Sequence, residues 1–128
     1  MVEVKRIYHV WFSTKARKPA LQGEIGRDVR TSLTQIAKRA NINLLEFELG
    51  VDHVHMLLEL TSDENLANVM QQLKGACSRD IFLMYPNLKL DTQALWQKGF
   101  GFRQVHPTDV HGLRYYVRTQ TKRPVRRA

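Results

Sequence analysis

The stretch from Ile42 to Leu60 limits the fold most tightly. Residues 42–50 and 53–60 each have the apolar content of a strand, and only Val51 and Asp52 separate them. Parallel strands need a crossover of a dozen or more residues, so this connection forces an antiparallel hairpin. Side chains alternate along a strand, which puts His53 and His55 on one face and Val54, Met56, Leu58 and Leu60 on the other. The second set must be covered by helices, and the histidine face is left for another purpose.

Candidate covering helices flank the hairpin. Ile25, Val29, Leu33, Ile36 and Ala40 recur every three or four residues from Glu24 to Ala40, the stripe of an amphipathic helix. Beyond the hairpin, Leu66, Val69, Met70, Leu73, Cys77 and Ile81 repeat the pattern. Thr61 and Glu64 have capping-box spacing at its start, and Pro86 is the latest point at which it can end. Val4 to Phe12 reads as a first strand and Lys15 to Gly23 as a loop. Leu95 to Val105 reads as a further strand, with Gly99 and Gly101 at bends or bulges. A last helix starts after Pro107, capped by Thr108 or Asp109, and ends before Pro124. This order predicts an α+β fold: a ferredoxin-like βαββαβ antiparallel sheet with an added C-terminal helix that carries tyrosine. A chain of 128 residues supports one core. The domain is expected over residues 1–121, followed by a basic tail over residues 122–128.

The charge is the first guide to function. Twenty Lys and Arg against twelve Asp and Glu give a net charge of +8, an excess that attracts polyanions, with nucleic acid as the leading partner. No apolar run reaches the roughly 20 residues of a membrane span. The first residues lack a signal peptide's apolar stretch, and the single Cys77 cannot form an internal disulfide. A cytoplasmic location with no membrane partner is the corresponding expectation.

Two groups of residues can carry chemistry. His53 and His55, two apart on a strand, can point at one divalent metal, although on their own such pairs are more often surface or hydrogen-bonded residues than ligands. Asp52 beside them is either a turn residue or an orienter of a ligand. On the last helix, at 100° per residue, Val110, Leu113 and Val117 form the buried stripe. Tyr116 and Gln120 lie one turn apart on its flank, and Tyr115 points nearly the opposite way. Packing would account for Tyr116 and Gln120 singly. Trp96, Phe100 and Phe102 can pack or stack on unpaired bases.

Several ordered pieces carry a resemblance over nearly the whole chain: His9-Val10-Trp11-Phe12-Ser13-Thr14-Lys15 through Arg17 and Pro19, Asp52-His53-Val54-His55-Met56-Leu57, Gln72-Leu73-Lys74-Gly75 with Ser78-Arg79, Leu95-Trp96-Gln97-Lys98-Gly99-Phe100, and Tyr116-Val117-Arg118-Thr119-Gln120. Together they resemble the single-tyrosine HUH-superfamily transposases of small single-stranded-DNA insertion sequences. The resemblance implies that His53, His55 and Gln120 bind Mg2+ or Mn2+ and that Tyr116 is the nucleophile, cleaving and rejoining DNA through a 5′-phosphotyrosine. Zinc or nickel would also suit two imidazoles. Hairpins at the element ends would be the DNA partner, with Lys15, Arg17, Lys74, Arg79 and Arg118 as candidate contacts. A homodimer is also implied, in which the tyrosine helix can sit against the partner's histidines through a hinge from Gln104 to Asp109. His106 departs from the family pattern, which favours a small residue there. The alternatives are a non-enzymatic hairpin binder on the same fold and a domesticated relative processing genomic hairpins.

Overall fold

The computed structural model describes residues 5–120, with Gln120 described by its backbone alone. The expected start of the first strand at Val4 and the tail over residues 122–128 lie outside that range. Strands β1 (Arg6–Ser13), β2 (Asn43–Leu49), β3 (His53–Leu60) and β4 (Gly101–Val105) form a four-stranded sheet in the order β2-β3-β1-β4, every pair antiparallel. This is the ferredoxin-like order, and the two central strands are the two that carry histidines.

One sheet face packs against helices α1 (Gly23–Arg39) and α2 (Leu66–Met84). Val10, Val54, Met56, Leu58 and Leu60 are fully buried there, with Val29 and Leu33 of α1 and Met70, Leu73, Cys77 and Ile81 of α2. The opposite face carries Ile7, His9 and Trp11 of β1 beside His55 and Leu57 of β3. Helix α4 (Val110–Gln120) lies across this face. Its Val117 is buried with Ile7, Leu57 and Val105, while Val110, Leu113 and the bulge residue Leu45 pack around them. Arg114 and Arg118 reach Glu46 of β2 at 3.8 and 3.5 Å. The histidine face is therefore partly roofed.

Local details depart from the sequence expectations. Thr61 and Glu64 do interact, the Thr61 amide donating to the Glu64 carboxylate at 2.9 Å, but α2 opens only at Leu66, four residues beyond the start that a Thr61 cap would set. Its cap is Asn65, which accepts from the Asn68 amide at 3.1 Å. Helix α2 ends at Met84, before Pro86 as expected, but Pro86 is also the first residue of a further helix, α3 (Pro86–Thr92), because proline's missing N–H is harmless at a helix start. Of the strand expected from Leu95, only Gly101–Val105 forms. Trp96 makes an isolated bridge to Thr14, and Gly99 turns the chain at φ +81°. A 3₁₀ turn, Pro107–Asp109, precedes α4. Its cap is His106, whose Nδ1 accepts from the Thr108 amide at 3.2 Å.

Candidate active site

The hairpin turn sets the first imidazole. Thr14 of the loop after β1 donates its amide to the Asp52 carbonyl at 2.9 Å, and the Gly50 amide donates to the His53 carbonyl at 2.8 Å. The His53 ring lies over Gly50 so closely that a Cβ there would sit 2.4 Å from its Cε1. His53 Nδ1 donates to the Asp52 carboxylate at 2.8 Å, and Arg17 grips the same carboxylate at 3.3 and 3.4 Å. Burial alone would raise the Asp52 carboxyl. The His53 hydrogen bond and the Arg17 and His53 charges outweigh it and leave the group below its ordinary range.

The second imidazole is held by a residue the sequence reading gave no role. His55 Nδ1 lies 3.2 Å from Nε2 of His9, which is 5% exposed on the neighbouring strand. Burial, reinforced by the charges of His53 and His9, pushes His55 down to about 4, so its ring is neutral at physiological pH. Burial and Arg103 lower His9 as well. Both candidate ligands thus have Nδ1 engaged and Nε2 left for an ion. Their ring centroids are 5.2 Å apart, close enough for two imidazoles to share an ion at bonds of about 2.1 Å. This donor chemistry fits a divalent metal. No group of three or more His, Cys, Asp or Glu gathers among the described residues, so an ion here needs a further donor such as an amide. Gln120 lies at the end of α4, and its side chain falls outside the description. Glu48, opposite His55 in register, is turned to Arg30 at 3.1 Å.

Helix α4 brings the phenol. Tyr116 meets the His9 ring edge-on at 6.0 Å, and a cavity of about 330 Å³ between helix and sheet is lined by His9, Trp11, His55, Arg103, Leu113 and Tyr116. Tyr115 faces away, 61% exposed. The candidate DNA contacts are dispersed. Lys15 lies in a 3₁₀ turn beside Arg17, which is engaged by Asp52, and Arg118 is engaged by Glu46. Lys74 donates to the carbonyls of Gln97 and Gly99 at 2.9 and 2.6 Å, and burial lowers its pKa. Arg79 is exposed on α2, across the sheet from the histidines. Trp96 is core, edge-on to Phe12 at 4.8 Å.

His9 and Trp11 were findable. In the ferredoxin order β1 lies beside β3, so every second residue of β1 must share the face of His55.

The family model of IS200-like transposases matches residues 3–120. The chain is 30% identical over 115 residues to the ISDra2 transposase TnpA of Deinococcus radiodurans, covering 88% of this chain and 82% of that one. It is 33% identical over 95 residues to the transposase for insertion sequence element IS200 of Salmonella typhimurium, covering 73% of this chain and 62% of that one. A crystal structure of a candidate transposase from Deinococcus radiodurans superposes with a TM-score of 0.74 at 26% identity, covering 94% and 92% of the two chains. A REP-associated tyrosine transposase bound to a REP hairpin shares the fold at a TM-score of 0.69 and 11% identity, covering 94% of this chain and 69% of that one. This chain belongs to the IS200-like transposases, the single-tyrosine HUH family of small insertion sequences.

Proposed function

We propose that the protein cuts and rejoins single-stranded DNA at the ends of its element, with Tyr116 as nucleophile beside a site for Mg2+ or Mn2+ held by His53, His55 and Gln120. The observation that carries this reading is the single cavity faced by both Tyr116 and His55. In the reaction the Tyr116 phenol gives up its proton as its oxygen bonds to phosphorus, the bond to the 3′ oxygen breaks, and that oxygen takes up a proton and leaves as a 3′-hydroxyl. The 5′-phosphotyrosine retains the bond energy, so another 3′-hydroxyl can reverse the step without ATP. When bound, the ion supplies Lewis acidity against charge gathering on the phosphate. Arg103 adds fixed positive charge on the same cavity. Asp52 and His9 keep the two imidazoles oriented. Hairpin ends as substrate, a homodimer and action in the cytoplasm complete the proposal; the hairpin carried by the structural neighbour and the family membership support it.

Labelled hairpin oligonucleotides test it. The wild-type protein should form a covalent adduct that EDTA prevents. Tyr116→Phe should bind the hairpin yet form no adduct, and Tyr115→Phe should remain active. Loss of the adduct in Tyr115→Phe alone would move the nucleophile, and adduct formation in excess EDTA would remove the ion.

A further inference from the structure

Trp11 sits at the mouth of the site in an unusual setting for a large apolar ring. It is 40% exposed although it lies on a central strand of the sheet. The indole lies across β4 over Gly101, where a Cβ would come within 2.1 Å of ring atoms. A glycine opposite Trp11 in register thus leaves room for the ring to lie down on the sheet. The His9 ring packs against it at 5.1 Å, tilted by 55°. Arg103, one pleat along β4 and opposite His9, borders the same cavity. A seated and half-exposed indole, a guanidinium, and a cavity of about 330 Å³ have the makings of a ligand subsite rather than of a packing defect.

We propose that Trp11 and Arg103 form a subsite for one unpaired nucleobase of the single strand, stacked on the indole and placed next to the phosphate that Tyr116 attacks. The assignment rests on single-stranded DNA being the substrate. Stacking on tryptophan suits any base, because each presents a π-face, and Arg103 can meet a base edge or the adjoining phosphate. The cavity is shared with Tyr116 and His55, so an occupied subsite fixes the strand next to the reacting atoms. Restricting the strand in this way favours the in-line geometry that the transfer needs.

The test compares an oligothymidylate of about twenty nucleotides, longer than most single-strand footprints, with an abasic strand of equal length and charge. Both are titrated against the Tyr116→Phe protein, which forms no covalent product, so that binding alone is read. The thymidylate should bind about tenfold tighter than the abasic strand, or more. Trp11→Leu should remove most of that ratio and leave affinity for the abasic strand unchanged, whereas Trp11→Phe should keep most of it. Gly101→Ala, which drives a methyl into the indole's seat, should lower the ratio without altering Trp11 itself. It decides the matter if Trp11→Leu does not fold. An undiminished ratio in Trp11→Leu or, failing that variant, in Gly101→Ala would overturn the subsite. Covalent capture of hairpins by the wild-type protein is scored separately. Capture without a base preference sinks only the subsite, and a Trp11-dependent preference without capture sinks only the nucleolytic reading.

Discussion

Two hydrogen bonds at Nδ1 decide which nitrogen each candidate ligand can offer. Asp52 takes the proton of His53 Nδ1, and His9 engages Nδ1 of His55 from the next strand. Partners of this kind fix ring orientation and tautomer, and their loss commonly costs 10- to 100-fold in metal affinity. His9→Leu should therefore weaken Mn2+ binding by about tenfold or more, read by calorimetry or by the spin-resonance signal of free Mn2+. His9→Gln, whose amide oxygen can still accept from Nδ1, should recover most of the affinity. Wild-type Mn2+ affinity in His9→Leu would remove His9 from the site. Gly50 makes a parallel case: its amide fixes the turn while the His53 ring occupies the space of its missing side chain. Gly50→Ala should depress Mn2+ affinity with little change in the fold, because the ring gives way before the hairpin does.

Helix α4 is held to the sheet mainly by Val117, fully buried, with Val110 and Leu113 half-buried beside it. Val117→Ala should cost about 2 kcal/mol of stability, measurable by urea denaturation, and should speed amide exchange in α4 more than in α1 or α2. Equal exchange in all three helices would deny α4 a separate seat. The seat also marks where sequence reading succeeded and where it stopped. The stripes of α1 and α2, the hairpin and the Tyr116 flank are properties of local periodicity, and a periodic pattern survives in any context. The start of α2 is ambiguous in sequence because Thr61 with Glu64 and Asn65 with Asn68 offer two cap-like hydrogen bonds four residues apart. The short α3 was missed because a proline reads as a stop and as a start alike. Segment 95–100 has strand-like residues, but its hydrogen bonds go to the last residue of β1, to the loop after it and to the Lys74 ammonium instead of to a long ladder. The roofing of the histidine face by α4 was not legible, because it depends on contacts between residues far apart in the chain.

At the level of the assembled molecule, the sheet on which the tyrosine helix rests determines which chain supplies the histidines. In this chain α4 rests on its own sheet, so Tyr116 faces the His55 of the same chain. The family resemblance admits a dimer in which α4 rests on the partner. Among the described residues, the contacts to be exchanged are those of Val117, Val110 and Leu113, the edge-on meeting of Tyr116 with His9, and the Glu46 pairs with Arg114 and Arg118. An identical sheet offers all of them again, so exchange between two copies conserves contact energy, the condition under which swapping is inexpensive. The connection to be straightened is the short turn capped by His106. We therefore expect that chains carrying His53→Ala and chains carrying Tyr116→Phe, each inactive alone, regain adduct formation when co-expressed. In an exchanged dimer, one of the two sites combines the intact histidines of one chain with the intact Tyr116 of the other. With α4 retained on its own sheet, every site lacks one component. Mixed dimers verified by two affinity tags that form no covalent adduct would place each active site within a single chain, and the tyrosine chemistry would stand unchanged.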